Sequence, residues 1–179
     1  MKQWPAILAC GAAAALWTGA AAAETPLGGG GWDGAYFGGQ LGTGNLTDGG
    51  TGGTGGLFVG IQRDRGTWIL GAQADAVAAD LAAPGGDRLD RLIRLQAKAG
   101  VDHGRVLIYG TAGLAYGWGE TASGDAGAAG WTVGLGADYR LNDRTALGGR
   151  AVYQDLGRFD GGGGDLRATT LEAVVSFRF

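Results

Sequence analysis

The stretch Gly130-Trp131-Thr132-Val133-Gly134-Leu135-Gly136-Ala137-Asp138-Tyr139-Arg140-Leu141 decides the fold. Its odd positions are Trp, Val, Leu, Ala, Tyr and Leu; its even positions are Gly, Thr, Gly, Gly, Asp and Arg. The period is two, which a strand satisfies and a helix of 3.6 residues per turn does not. One face is wholly apolar, with aromatics near both ends, and the other is small or charged. The last strand repeats the plan, with Leu171, Ala173, Val175, Phe177 and Phe179 on one face and Thr170, Glu172, Val174, Ser176 and Arg178 on the other.

A water-soluble sandwich would also alternate. Here strand after strand sets Gly, Gln, Asp and Arg opposite the apolar face. The connections are short on one side and long and Gly-rich on the other. That is the pattern of a transmembrane β-barrel, apolar towards lipid and polar towards the lumen. Closure also pairs every backbone N–H and C=O, a requirement that hydrocarbon imposes. No uncharged apolar run of 18 residues follows Ala23, and the longest candidate, 106–119, is interrupted by glycines that disfavour a helix.

Short turns fall at Arg63-Asp64-Arg65-Gly66, Asp102-His103-Gly104-Arg105 and Asn142-Asp143-Arg144, about every 39 residues, the repeat of one hairpin pair. Longer Gly/Asp/Thr stretches lie near 43–56, 79–88, 119–129 and 157–165. Three turns and four loops predict eight strands, near 32–42, 56–64, 67–78, 89–101, 105–118, 130–141, 145–156 and 166–179. The expected fold is all-β, an eight-stranded antiparallel up-and-down transmembrane barrel with both ends on the short-turn side.

Working outward, the first 23 residues stand apart. Lys2 is their only charge, an apolar stretch follows, and Ala21-Ala22-Ala23 precedes Glu24. These are the three parts of a secretory signal peptide, so cleavage is expected between Ala23 and Glu24. A lipidated Cys10 fits the leader less well, because few apolar residues precede it. Residues 24–31 form a Gly-rich periplasmic linker, and 32–179 the barrel. Cleavage would remove Lys2 and Cys10 and leave 13 basic against 17 acidic residues. An acidic chain argues against nucleic acid as a partner. One Cys and one His exclude a disulfide framework and a Cys/His zinc site. Of 179 residues 40 are Gly, but no Gly-X-Y register runs through them, which excludes collagen.

Four stretches resemble a known family. Trp32-Asp33-Gly34-Ala35-Tyr36-Phe37-Gly38-Gly39, Tyr109-Gly110-Thr111-Ala112-Gly113-Leu114-Ala115-Tyr116-Gly117 and Gly130-Trp131-Thr132-Val133-Gly134-Leu135-Gly136 are similar to the first, fifth and sixth strands of the small eight-stranded outer-membrane proteins of Gram-negative bacteria. These are the OmpA-like or porin-family surface-antigen barrels, and the terminal Phe179 matches their closing aromatic. The resemblance implies a monomer in outer-membrane lipid, handled in transit by periplasmic chaperones and the barrel-insertion machinery. It also implies that Val175, Phe177 and Phe179 form the assembly signal.

Gly29-x-Gly31-x-x-Gly34 matches the dinucleotide fingerprint in letters only, since a strand rather than a helix follows it. Ser123 and Ser176 lie outside any Gly-x-Ser-x-Gly elbow. No catalytic residue, cofactor or metal ligand is expected. By parity Gln40, Gln73, Asp75, Arg94, Gln96, Lys98, Asp138, Arg150, Gln154, Glu172 and Arg178 face the lumen. An eight-stranded barrel is just wide enough to be filled by such side chains, so these charges should pair. Lumenal Gly38, Gly100, Gly113, Gly117, Gly134 and Gly136 leave room for a narrow water path. Trp32, Trp68, Tyr116, Trp118, Trp131 and Tyr139, near strand ends, form an aromatic girdle. Two functions are open. One is a structural barrel contributing to envelope integrity, at most a narrow passive channel. The alternative is a surface-exposed adhesin or ligand-binding barrel acting through its four long loops.

Overall fold

The computed structural model describes residues 31–47, 50–82, 88–121, 124–158 and 165–179. The expected leader and most of the linker, with the cleavage site Ala23–Glu24, lie outside them. Eight strands follow one another: β1 (Gly34–Leu46), β2 (Thr51–Asp64), β3 (Trp68–Ala82), β4 (Arg88–His103), β5 (Val106–Thr121), β6 (Gly124–Arg140), β7 (Thr145–Arg158) and β8 (Asp165–Arg178). Each pairs antiparallel with the next, and β8 returns to β1 to close the barrel. The seam runs from Tyr36↔Arg178 to Leu46↔Ala168, and Phe179 N–H donates to Ala35 C=O at 3.0 Å. From Trp131 to Arg140, β6 is paired on both sides, and closure gives the other strands the same protection, which is how a sheet can sit in an apolar solvent. Beyond Trp131, at the loop end, β6 pairs with β5 alone.

The short turns are built by side-chain acceptors that substitute for backbone. Asp64 Oδ1 accepts from Gly66 N–H at 2.8 Å and Asp102 Oδ1 from Gly104 N–H at 2.6 Å. Asn142 Oδ1 accepts from the N–H of Arg144 and Thr145 at 3.0 and 2.8 Å. Gly66 and Gly104 have φ of +88° and +74°, a region that favours glycine.

On the other side the strands run further than the sequence pattern suggests. They leave only 47–50, 83–87, 122–123 and 159–164 between them. Most of the expected loops 43–56 and 119–129 is therefore strand: Thr43↔Gly53 and Trp118↔Gly127 continue the ladder. Backbone pairing outlasts side-chain alternation here, because a Gly-rich hairpin keeps its hydrogen bonds without an apolar face. Register shifts at Ala78/Leu81, Leu89/Arg91 and Asp155/Arg158 lie near this loop end.

The outer wall exposes Leu41, Leu57, Ile61, Leu95, Leu114, Leu135 and Leu171, the lipid-facing surface that alternation anticipates. The lumen is layered. Leu46, Val77, Leu92, Ala115, Ala128, Leu156 and Ala168 form a buried apolar layer near the loop end. Trp32, Ile69, Leu107, Tyr109 and Ala146 form another at the turn end. Tyr36, Phe58 and Val174 pack between them. At two of the expected lumenal glycines the room is taken up by a ring from a neighbouring strand. A Cβ at Gly136 would stand 2.6 Å from Tyr109 Oη, and one at Gly38 would enter the Phe58 ring. At Gly38, Gly60 and Gly136 glycine receives the ring of Phe58, Tyr36 and Tyr109, respectively.

Candidate functional site

Between the two apolar layers sits a charge cluster assembled from four strands. Arg150 on β7 reaches Asp75 on β3 (Nη2–Oδ1 2.5 Å) and Glu172 on β8 (Nε–Oε2 2.5 Å). Arg94 on β4 crosses the lumen to Glu172 (Nη2–Oε1 3.0 Å) and lies 3.5 Å from Asp75 Oδ1. All four side chains are buried. Neutral groups complete the carboxylate shells: Gln73 Nε2 donates to Asp75 at 3.1 Å and Thr170 Oγ1 to Glu172 at 3.1 Å. Tyr36 Oη donates to Gln73 Oε1 at 2.9 Å, and Arg150 also donates to Gln40 Oε1.

A second group lies nearer the turn end. Lys98 Nζ pairs with Asp138 Oδ2 at 3.3 Å and stands 3.8 Å from the centre of the Tyr109 ring, whose hydroxyl donates to Asp138 Oδ1 at 3.3 Å. Gln96 Nε2 donates to Thr132 Oγ1 at 3.4 Å, and Gln154 is buried on β7. Of the expected lumenal residues, Gln40, Gln73, Asp75, Arg94, Gln96, Lys98, Asp138, Arg150, Gln154 and Glu172 are all buried. The six charged ones comprise three cations and three anions and so cancel. Burying charges without partners costs several kcal/mol each, which makes this matching a condition of the fold. Both carboxylates of the larger cluster are clamped between two guanidinium groups. Their lone pairs therefore point at arginine rather than into free space.

Arg178 departs from the expected network. It is half-buried at the turn-end mouth, 4.8 Å from the Trp32 ring centre, and donates to Gly31 C=O. Trp32 itself is a correction. Its position beside the first strand predicts a lipid-facing girdle residue, yet only 1% of it is exposed. The chain before β1 turns inward rather than continuing up the wall, so parity along the strand does not apply to it. The other girdle residues, Trp68, Tyr116, Trp118, Trp131 and Tyr139, are exposed on the outer wall. Tyr116 packs edge-on against Trp118 at 4.6 Å, and Trp131 against Tyr153 at 5.5 Å. Phe177 and Phe179 also face outward, each with its ring 5.5 Å from Phe37, while Val175 is half-buried.

The sequence pattern misses the apolar and aromatic lumenal residues Leu107, Tyr109 and Val152, which sit where polar residues are expected. Strict parity with Arg150 and Thr111 was the available signal. The cavity lined by Tyr36, Lys98, Tyr109, Asp138, Arg150 and Ser176 measures about 10 Å³, near the minimum for one water. A larger hollow of about 730 Å³ opens on the outer wall over Ala97, Ala99, Gly110, Ala112 and Ala151. It faces the lipid side rather than the lumen.

Residues 7–179 match the family model described as outer membrane protein beta-barrel domain. The 31 kDa outer-membrane immunogenic proteins of Brucella melitensis and Brucella suis are each 41% identical over 66 residues, 30% of this chain and 28% of their own length. The aligned part thus spans little more than a quarter of those relatives. Among solved structures, Neisserial surface protein A superposes with a TM-score of 0.61 at 18% identity, over 85% of this chain and 99% of that one. Ail, the attachment invasion locus protein of Yersinia pestis, gives 0.53 at 12% identity, over 82% and 99%. The N-terminal barrel domain of Pseudomonas aeruginosa OprF gives 0.53 at 14%, over 82% and 98%. At these identities the superpositions show a shared fold.

Proposed function

Because the chain belongs to the outer membrane protein beta-barrel domain family, and so lies in the outer membrane of a Gram-negative bacterium, we propose that it is a structural barrel that contributes to envelope integrity and does not act as an open pore. One observation carries this reading: the lumen is filled. A balanced ion-pair cluster lies between two apolar layers, and the cavity among its side chains holds about 10 Å³. Eight strands give an interior that side chains can fill, whereas aqueous channels accompany far larger barrels.

Planar-bilayer recording on the purified barrel tests the reading. The expected trace shows no steady conductance, and a cell lacking the protein is expected to gain sensitivity to detergent and to bulky antibiotics. Stable single-channel steps from wild-type protein would overturn it. The second reading, a surface-binding barrel, draws support from β6, which runs seven residues beyond Trp131 towards the loop end, paired there with β5. The brevity of the connections weighs against recognition by long loops. Binding of intact cells to host matrix, lost on deletion of the protein, would favour this alternative.

A further inference from the structure

Segment 31–33 lies outside the wall of the barrel but is fastened across its turn-end mouth. Trp32 packs among Ile69, Leu107, Tyr109 and Ala146, and its indole N–H donates to Gly104 C=O at 3.1 Å. The carbonyl of Trp32 accepts from the buried amide of Gln62 at 2.6 Å. Asp33 Oδ1 accepts from Asp64 N–H at 3.0 Å. The guanidinium carbons of Arg140 and Arg178 stand 5.6 and 4.8 Å from the centre of the Trp32 ring, within cation–π range. Arg140 also donates to Gly104 C=O at 3.1 Å, and Arg178 to Gly31 C=O. The fastenings therefore come from β2, the β4–β5 turn, β6 and β8.

The hinge is Gly34, the first residue of β1. Its φ is +116°, and a Cβ there would meet Phe179 C=O at 2.8 Å. A residue with a side chain would be strained in this conformation, so glycine is what lets the chain leave the wall and turn inward. The eight-strand ladder is complete without residues 31–33, since pairing begins at Gly34↔Gln62. The wall can close first and the segment dock second.

We propose that Gly31–Asp33 is a hinged stopper, with Trp32 as its plug, that shuts the lumenal charge cluster off from periplasmic water. This deepens the sealed-barrel reading and rests on it. The two fail separately, because the layer of Leu46, Val77, Leu92 and Leu156 blocks through-flow whether or not Trp32 is in place.

The test reads access from the turn end alone. Ser176 lines the small lumenal cavity beside Arg178 and Tyr36. In a Cys10→Ala background, Ser176→Cys supplies the only thiol, probed with a small methanethiosulfonate reagent on the full barrel in detergent. Adding Trp32→Ala is expected to raise the labelling rate at least tenfold, while gel mobility still shifts on boiling. An unchanged rate in a folded Trp32→Ala barrel would overturn the proposal. A second measurement leaves Trp32 in place, in case that variant does not fold. In a chain whose other tryptophans (Trp4, Trp17, Trp68, Trp118 and Trp131) are changed to Phe, brominated lipids should leave Trp32 fluorescence unquenched. Quenching as deep as that of a chain retaining only Trp131 would place Trp32 in lipid and overturn the proposal.

Discussion

Replacing Arg150 with alanine removes a side chain that contacts both Asp75 and Glu172 at 2.5 Å. Arg94 is left as the one guanidinium between two buried carboxylates, so the cluster changes from balanced to one excess negative charge. Breaking a buried pair by deleting one partner costs about 3–5 kcal/mol, because the remaining charge stays desolvated. Arg167 supplies the contrast. It pairs with Asp155 at 3.1 Å, but its side chain is 45% exposed, and exposed pairs contribute roughly 0.2–1 kcal/mol. The difference is at least about 2 kcal/mol, more than a tenfold change in the folding equilibrium. Urea unfolding in detergent, followed by tryptophan emission and gel mobility, should therefore show a much lower midpoint for Arg150→Ala than for Arg167→Ala. The double variant Arg150→Met/Glu172→Gln leaves Asp75 facing Arg94 one to one and should recover part of the loss. If the two single variants share a midpoint, or the double variant is no better than Arg150→Ala, the balanced-cluster argument is refuted.

Gly136→Val would push two methyl groups towards Tyr109 Oη, where a Cβ alone would stand at 2.6 Å, and overpacking of this kind costs about 1–3 kcal/mol. The urea midpoint should fall, and a co-substitution Tyr109→Leu should restore part of it. Deleting Phe179 removes a ring stacked 5.5 Å from Phe37, a pair contributing roughly 0.5–1.5 kcal/mol beyond its burial, so the barrel should still refold in detergent. If Val175, Phe177 and Phe179 form the assembly signal, the truncated protein should nonetheless accumulate poorly in the outer membrane, and equal levels would reduce Phe179 to ordinary packing. Intact mass of protein extracted from membranes should begin at Glu24; an acylated Cys10 would replace that leader with a lipoprotein signal.

Alternation made the turn-end parts of β6 and β8 legible because 131–139 and 171–177 each carry one uninterrupted apolar face. Parity alone put six of the seven expected lumenal charges in the buried interior, Arg178 being half-buried at the mouth. It could not pair them. Arg150 and Glu172 are register neighbours, but the Arg94–Glu172 contact crosses from β4 to β8, and only closure of the sheet brings those strands face to face. The loop-end halves of β2 and β6 were read as loops for a related reason. Thr51–Gly55 and Gly124–Ala129 contain too few side chains to carry a period, while their backbones still pair with β1 and β5. Trp32 was misread because an aromatic beside a strand start resembles an interfacial anchor. The turn at Gly34 that sends it inward depends on a backbone angle rather than on hydrophobicity.

The length of β6 beyond Trp131 sets how far the β5–β6 hairpin stands above the lipid-facing wall. Trp131 and Tyr139, both on the outer wall, are eight steps apart, about 26 Å along a strand, which at a tilt of about 40° covers roughly 20 Å of the height of the apolar band. From Trp131 the ladder climbs on to Gly124, which at a tilt of about 40° adds roughly 18 Å of height. That upper part is a two-stranded ribbon in which β6 is hydrogen-bonded to β5 alone and is built largely of Gly and Ala. A tag inserted between β5 and β6 would be carried at the end of this ribbon, within reach of an antibody on living cells.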